Sequence, residues 1–403
     1  MDLRRSALFV AMSFLLLHGA QQGAAATSSG DANEQWGYVP VRQQKAHVFW
    51  WFYKSPQRVS SLVKPWPTIL WLQGGPGGSA VGRGNFLEIG PLDANLKQRN
   101  STWLQKADLI FVVSELFLHH IPFKVICVGS NEYVGMQDLP VGVGYSYTED
   151  PSVIATTDSQ VAADAIELVS ALTKKIPTLQ SSPLFLVGES YGGKLAAIIG
   201  ISMSRAIHSG ILQLTLGGVV LGDSWISPDN FAFSYAQLLH SMSRLTDNAV
   251  APATEMAAKL KEEMALGQFA TARKIWIDLL DLIDSETDSV NMENLLLESN
   301  MNSLLAQSAP NTIDDIMNGA IKRKLKIIPK DLIWDGLKSF LNLSRQPWNC
   351  DSSGHCSGPI KAYVRSFKNL HFYWILGAGH AVPIDQPDTA LKMIGSITHS
   401  SRK

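Results

Sequence analysis

The feature that most constrains the fold is a serine in a glycine-rich turn, placed between a strand-like run and a helix-like run. Residues 184–193 read LFLVGESYGG, so Ser190 stands between Gly188 and Gly192. Strand and helix can pass close together on either side of such a serine only where side chains are absent. The pattern predicts a nucleophile elbow with Ser190 at the bend, although a bare G-x-S-x-G more often marks a structural turn. The backbone N–H of Tyr191 could then face an oxyanion.

Other apolar runs predict the sheet around this elbow. Continuous runs of this kind are typical of strands buried on both faces of a mostly parallel sheet. They occur at Thr68–Leu72, Leu109–Val112, Leu184–Val187, Gly218–Leu221 and Phe372–Leu376. A hairpin is predicted over Val39–Tyr53, and a helix from about Lys194 to Ile207.

Between residues 227 and 330 the pattern changes to helix. One helix is predicted over Glu255–Leu266, and a second carries an apolar stripe made by Phe269, Ala272, Trp276 and Ile283. Since strand patterns resume afterwards, we interpret this region as a helical cap inserted into an α/β core, rather than as a separate domain. The core would comprise 27–226 and 331–403.

Two further glycine-rich turns suit the same chemistry. WLQGGPGG at 71–78 follows a strand, where this type of fold takes its second oxyanion N–H. A phosphate loop is a poor alternative, because the Lys-Ser/Thr ending is missing and Pro76 has no N–H. GAGHAVP at 377–383 follows the last strand, so His380 comes after Ser190 in chain order and is the candidate general base.

The N-terminus indicates export. Arg4 and Arg5 precede the apolar stretch Ala7–Leu17, and Ala24–Ala26 offers a cleavage site, so residues 1–26 read as a signal peptide rather than a buried helix. No later segment predicts a membrane span, and a net charge of −1 without a basic stripe argues against nucleic acid. The sequons at Asn100 and Asn342 predict glycosylation.

The three cysteines are Cys127, Cys350 and Cys356. The last two could close a local disulfide loop, which leaves Cys127 over. The chain has no metal-ligand cluster, and we expect no metal and no cofactor.

Taken together, the three glycine-rich segments resemble the signature segments of the serine carboxypeptidases, a family with the α/β-hydrolase fold. Gln73 and Gly78, GDSWI at 222–226 and YWIL at 373–376 are similar to the branch of the retinoid-inducible serine carboxypeptidase and its plant relatives. The resemblance runs from about Trp36 to Met393. It implies an α/β fold with a mostly parallel central sheet flanked by helices and an inserted helical cap.

The resemblance also implies roles. Ser190 would be the nucleophile, His380 the general base, and the N–H groups of Gly75 and Tyr191 the oxyanion hole. The C-terminal carboxylate of a peptide or protein substrate would be bound by Gln73, Gly74, Glu88 and Glu189, with Gln73 in place of the family's more usual Asn. Because like charges raise each other's pKa, the glutamates must share a proton, which predicts an acid-active exopeptidase. Its place would be outside the cell or in the vacuole or lysosome; the sequence indicates no oligomeric state.

The chain departs from the family pattern twice. The stretch 113–137 separates the strand ending at Val112 from DLPVGVG at 138–144, where the family runs straight on. An in-frame retained intron is our preferred interpretation, and a natural insertion is the alternative.

The second departure concerns the triad acid. The family carries it in an Asn-Gly-x-x-Asp segment after the cap, but the Asn318-Gly319 pair is followed by Ala-Ile-Lys. The chain passes from Trp334 directly to Asp335, so a strand bearing the acid is missing between 334 and 335. Asp335 is a weak substitute. We therefore expect poor folding or low activity, and keep two alternatives: a carboxypeptidase-like acyltransferase, disfavoured by Glu189 where those relatives have Asp, and a non-catalytic isoform.

Overall fold

The computed structural model describes residues 28–31, 33–59, 65–75, 78–112, 144–148, 150–153, 155, 157–287, 290–292, 313–334 and 362–399. The predicted signal peptide, the 113–137 stretch, the three cysteines, Asp335 and Asn342 lie outside these residues.

One mixed sheet organises the described chain, in the order β1-β2-β3-β5-β4-β7-β8, with β6 paired to β3. Pairs on the N-terminal side are antiparallel, whereas β5, β4, β7 and β8 run parallel. The strands are β1 Ser28–Asp31, β2 Glu34–Val41, β3 Ala46–Tyr53, β4 Thr68–Leu72, β5 Asp108–Val112, β6 Tyr147–Thr148, β7 Pro183–Glu189 and β8 Thr215–Gly222. A separate hairpin is formed by β9 Ala362–Phe367 and β10 Leu370–Ile375.

Alternation along the central strands creates a core on each face of the sheet. In β3, Trp50 and Phe52 join one apolar cluster while Trp51 and Tyr53 join the other. Strand side chains alternate between faces, and every residue of β4 is buried, so the strand is covered on both sides. This confirms the α/β layering expected from the apolar runs.

Helices cover both faces. One face carries α1 Asp158–Lys175 and α2 Tyr191–His208, whose apolar side chains join the first cluster. The other face carries a π-helix, Ala80–Ile89, together with α8 Val382–Asp385 and α9 Pro387–Ile397. The π-helix begins at the cap Ser79, whose Oγ accepts the Gly82 N–H at 3.3 Å.

The predicted cap begins as three helices with an apolar core of their own. They are α3 Pro228–Ser241, α4 Asp247–Ala265 and α5 Phe269–Thr287. Small residues, such as Ala236, Ala253 and Ala257, let these helices approach closely.

The segment 313–334 falls mostly in the range predicted for the cap, yet it packs on the sheet. It comprises α6 Ile313–Ile316, a short π-helical stretch Met317–Ile321 and α7 Lys322–Leu325. Its apolar side chains belong to the same cluster as Trp36 and Tyr145. At its end the Asn318 side chain accepts the Trp334 N–H at 2.7 Å and donates to the Trp334 carbonyl at 2.9 Å, which fixes the last described residue of this segment.

Some predicted helix details are wrong. α2 begins at Tyr191 rather than Lys194, because the helix starts directly at the bend. α4 begins at Asp247, eight positions before Glu255, so Pro252 lies inside it. Phe269 is 67% exposed and does not belong to the buried stripe, in which Ile275 takes part.

The expectation that all five apolar runs are buried on both faces is wrong for two of them, which form β8 and β10. β8 is the last strand of the described order, and exposed and half-buried residues alternate along it. β10 pairs with β9 alone, and its Trp374 is 64% exposed. Within the described residues, neither strand has a further strand on its outer side.

A search of the described helices for one that is long and apolar enough to cross a membrane finds none.

Candidate active site

Ser190 occupies a strained bend between β7 and α2. Its φ of 57° and ψ of −123° lie in a region that residues with a side chain rarely adopt. The surrounding backbone holds it there: the Ser190 N–H donates to the Gly222 carbonyl at 2.9 Å, and its own carbonyl accepts the Trp225 N–H at 2.9 Å. The end of β8 thus holds the bend, and the Ser190 side chain is presented at the carboxyl end of the parallel strands.

The flanking glycines are required by close backbone contact. A Cβ at Gly188 would lie 2.1 Å from the Gly192 carbonyl oxygen, and one at Gly192 would lie 2.2 Å from the Leu72 carbonyl oxygen. Strand β4, the elbow and α2 therefore meet without space for a methyl group.

The 73–75 segment lies directly against the serine. A Cβ at Gly74 would be 2.6 Å from the Ser190 Cβ. Gly75 has a φ of 132°, a conformation that favours glycine. Tyr191 opens α2, and its hydroxyl donates to Asp158 Oδ1 at 2.8 Å. The segment and the helix start thus flank the Ser190 side chain from two sides.

Gln73, Glu88 and Glu189 form a buried polar cluster beside the elbow. Gln73 Nε2 donates to Glu88 Oε1 at 2.9 Å and to Glu189 Oε1 at 3.2 Å. Trp71 Nε1 donates to Gln73 Oε1 at 2.9 Å, which fixes the amide orientation. The three side chains come from the ends of β4 and β7 and from the π-helix, and each is at most 6% exposed.

The two glutamates cannot both be ionised in this place. Burial raises the pKa of both, and the negative charge of Glu88 raises that of Glu189 further. Oε2 of Glu88 is buried and receives no N–H hydrogen bond, so an ionised oxygen there would be uncompensated. A proton on Glu189 that is donated to Glu88 removes one of the two buried charges, which leaves the pair holding one proton.

His380 lies in the turn between β10 and α8. The turn is held by Asp385, whose Oδ2 accepts the Gly379 N–H at 2.6 Å, and by Gln386, whose Nε2 donates to the Gly377 carbonyl at 2.8 Å. Burial, followed by the positive charge of Arg83, lowers the pKa of His380. Within the described residues no hydrogen bond joins its imidazole to the Ser190 hydroxyl.

Three charged residues at the site were missed by sequence reasoning. Arg83 acts on His380 and on both glutamates. Asp223 follows β8 with a φ of 38°, and desolvation together with the charge of Asp385 raises its pKa to about 6. The available signal was position: Asp223 directly follows a strand that ends beside Ser190, and Asp385 closes the turn of the candidate base.

The remaining predicted residues are Asn100, Asp335 and Asn342. Asn100 lies on the surface after the π-helix, as a glycosylation site requires. Asp335 and Asn342 fall outside the described residues. The pKa of His380 is lowered by its burial and by the charge of Arg83.

Comparison with known proteins places these features in one family. The sequence model described as "Serine carboxypeptidase" (Peptidase_S10) matches residues 26–115, 136–330 and 328–400. Residues 116–135 lie outside the match, and the match starts anew at 328.

Individual relatives agree. Serine carboxypeptidase-like 51 from Arabidopsis thaliana is 39% identical, over 92% of this chain and 93% of the relative. That alignment spans 460 positions, more than the 403 residues of the chain, so the relative carries residues with no counterpart here. The retinoid-inducible serine carboxypeptidase of Homo sapiens is 33% identical, over 95% of each protein.

Among solved structures, KEX1(delta)p, a prohormone-processing carboxypeptidase from Saccharomyces cerevisiae, superimposes with a TM-score of 0.58 over 91% of each chain. At 18% sequence identity this likeness shows the fold alone, which is that of the α/β-hydrolases.

Proposed function

The chain belongs to the serine carboxypeptidase family, and on that premise we propose that it removes C-terminal residues from peptides and proteins through an acyl-enzyme on Ser190. The observation that carries the proposal is the buried cluster of Gln73, Glu88 and Glu189, set against the turn that presents the serine. A protonated carboxyl and an amide N–H both donate hydrogen bonds, which a free C-terminal carboxylate accepts.

The proposed chemistry uses the roles that the family resemblance implies. The Ser190 hydroxyl attacks the carbonyl of the last peptide bond while His380 takes its proton, and the negative oxygen is held by the N–H groups of Gly75 and Tyr191. His380 then gives the proton to the leaving amine, and the C-terminal amino acid departs. Water repeats the sequence on the ester and regenerates the serine.

The pKa directions favour activity in acid. The raised pKa values of Glu88 and Glu189 keep the shared proton in place up to a higher pH than usual. The lowered pKa of His380 keeps its imidazole neutral, and able to accept a proton, down to a lower pH than usual. Both conditions are met together in an acidic window, which is where a vacuolar, lysosomal or extracellular peptidase of this type would work.

We propose further that the triad acid is absent and that turnover by this exact chain is slow. The restart of the family match at 328, the excess length of the aligned relative and the uncovered β8 all support a missing segment between the cap and the His380 strand. A non-catalytic isoform that retains binding is the second candidate, favoured because no hydrogen bond joins His380 to the Ser190 hydroxyl within the described residues.

The test compares two peptides that differ only at the C-terminus, one a free acid and one an amide, incubated at acidic pH. We expect release of the last amino acid from the free acid at least about ten-fold faster, because the cluster donates hydrogen bonds to a charged group. A Ser190→Ala variant should release none. Equal rates for acid and amide would contradict carboxypeptidase action. Binding of the acid without release would favour the non-catalytic form.

A further inference from the structure

Arg83 is placed on the wall of the carboxylate-binding cluster. It lies on the π-helix five positions before Glu88, and a helix that hydrogen-bonds from i to i+5 brings such residues to the same face. Its neighbours are packed tightly, because a Cβ at Gly82 would meet the Trp334 indole at 2.1 Å and one at Gly84 would meet Gln73 Oε1 at 2.8 Å. The backbone that carries Arg83 is therefore fixed between the core and the cluster.

The charge of Arg83 reaches both halves of the site. It lowers the pKa of Glu88 and Glu189 at the carboxylate end, and that of His380 at the end where the peptide bond is cut. The geometry agrees, because Arg83 lies on the same π-helix as Glu88 and its neighbour Gly84 lies against Gln73.

Arg83 has no hydrogen-bonded partner within the described part of the chain. Its side chain is half-buried, and its guanidinium makes neither an ion pair nor a hydrogen bond there. The glutamate pair keeps one negative charge but forms no ion pair with the guanidinium, so the planar fork of Arg83 stays available for the carboxylate of a substrate.

The substrate supplies that carboxylate. In the proposed reaction the C-terminal residue lies with its nitrogen at His380 and its α-carboxylate at Gln73 and the glutamates, so its side chain leaves from the Cα between these two ends. We propose that Arg83 is a specificity-determining residue that pairs with the side-chain carboxylate of a C-terminal Asp or Glu and disfavours a C-terminal Lys or Arg. This inference rests on the proposed function and names its substrate class.

The α-carboxylate is the other anion that Arg83 could meet. That group already has the Gln73 amide and the proton of the glutamate pair as donors, and a guanidinium that bound it would have no reason to select among C-terminal side chains. The two roles therefore predict different responses to the substrate.

The experiment measures binding, so that it does not depend on turnover. Ser190→Ala protein is titrated calorimetrically with N-blocked dipeptides of one first residue that end in Glu, Gln or Lys, and with the Gln dipeptide as its C-terminal amide. We expect the Glu peptide to bind about ten-fold more tightly than the Gln peptide, as a charge-assisted hydrogen bond implies. Adding Arg83→Gln should bring that ratio close to one, and Arg83→Glu should reverse the preference toward Lys.

Two further variants serve as controls. Lys97→Gln removes a positive charge from an exposed side chain in the loop after the π-helix and should leave the Glu-to-Gln ratio unchanged. Arg83→Lys keeps the charge and the long side chain without the fork, so it should retain part of the preference even if the other two variants unfold.

The measured affinities test the role of Arg83 and the proposed function separately. Equal affinity for Glu and Gln peptides in the Ser190→Ala protein overturns the inference while leaving the function intact, provided that both bind more tightly than the amide. The inference is also overturned if Arg83→Gln weakens the binding of all three free-acid peptides by the same factor. The guanidinium would then bind the α-carboxylate, which these peptides share. Equal affinity for a free acid and its amide rejects the proposed function, and with it this inference.

Discussion

Glycines at the elbow hold Ser190 in its strained conformation by allowing backbone to touch backbone. At Gly192 the space is taken by the Leu72 carbonyl, which a rigid β-strand cannot withdraw. The sequence motif predicted the contact between Gly188 and Gly192 because it is local to the strand–turn–helix unit, whereas the Leu72 carbonyl belongs to the neighbouring strand β4.

Gly192→Ala should destabilise the protein severely. Its Cβ would lie 2.2 Å from the Leu72 oxygen, and forced overpacking of this kind costs about 3 kcal/mol or more. Urea unfolding followed by circular dichroism measures the effect. The matched control is Gly319→Ala, where nothing lies closer than 3.8 Å and the change should be neutral or slightly stabilising. Equal stability of the two variants would contradict the tight contact.

Glu189→Gln should stabilise the protein at neutral pH but not in acid. The folded protein holds Glu189 protonated, because its pKa is raised, while the unfolded chain loses that proton above the ordinary value of 4.5. The unfolding free energy of the wild type therefore falls as pH rises, by about 1.4 kcal/mol for each unit until the raised pKa is passed. An amide keeps the donor without titrating, so the variant should lose this slope.

The measurement for Glu189→Gln is urea unfolding at a series of pH values from 4 to neutral, with the exposed Glu255→Gln as control. A wild-type profile that runs parallel to that of Glu189→Gln would show that the glutamate pair is ionised in the folded state.

Residues whose importance depends on long-range packing could not be predicted. Arg83, Asp223 and Asp385 carry no motif of their own, and their roles arise because the π-helix, β8 and the His380 turn meet around Ser190. Gln73 and the glutamates were assigned only through family resemblance, and their catalytic and binding roles stay predictions.

At the scale of the elements, the sequence predicted which segments form strands better than it predicted how deeply these strands are buried. All five apolar runs form strands, since β-branched and aromatic residues favour the extended backbone. Their burial depends on the neighbours, and β8 and β10 are exposed because no further described strand lies beside them. Helix starts were misplaced where a turn or an internal proline lies within the helix, as at Asp247.

The uncovered strands should make the protein associate. Val219 and Leu221 are 39% and 45% exposed on β8, the last strand of the described order, and exposed apolar edge strands recruit other chains. Sedimentation velocity should show association that grows with concentration, and Val219→Lys and Trp374→Lys should reduce it. The control is Ile211→Lys, which replaces an isolated exposed side chain. Unchanged association in the first two variants would exclude these strands as the cause.

At the scale of the whole molecule, the Gln73 cluster and the turn of His380 share one core. The π-helix, β4 and β7 contribute to this core, and so do α8 and α9, which follow the turn of His380. The sequence alone predicted both departures because it could be compared with the order of family motifs.

Restoring the family pattern should restore turnover. A chain without 113–137, and with an acid-bearing strand inserted between Trp334 and Asp335, should gain about 10³- to 10⁴-fold in kcat/KM, since changing the triad acid to its amide in a serine protease lowers kcat by about 10⁴. Peptide hydrolysis at acidic pH measures the gain. The insertion with Asn in place of its acid is the control. Full activity of the present chain would refute the deficit.

Transcripts across codons 112–138 and 334–335 provide an independent check. Loss of the 113–137 codons, together with an acid-bearing segment after Trp334, is expected in an active isoform. Transcripts that keep both junctions would favour the non-catalytic form.

Two hydrogen bonds join the Asn318 side chain to the backbone of Trp334. They anchor the chain at the very residue after which the family pattern breaks, and the anchored indole lies against the helix that carries Arg83 and Glu88. We therefore expect an exchange of the segment after Trp334 to leave the Gln73 cluster in place. If that cluster binds peptide ends as proposed, the product of such an exchange would act as a decoy receptor, which holds the same C-termini as the active protease and withholds them from it.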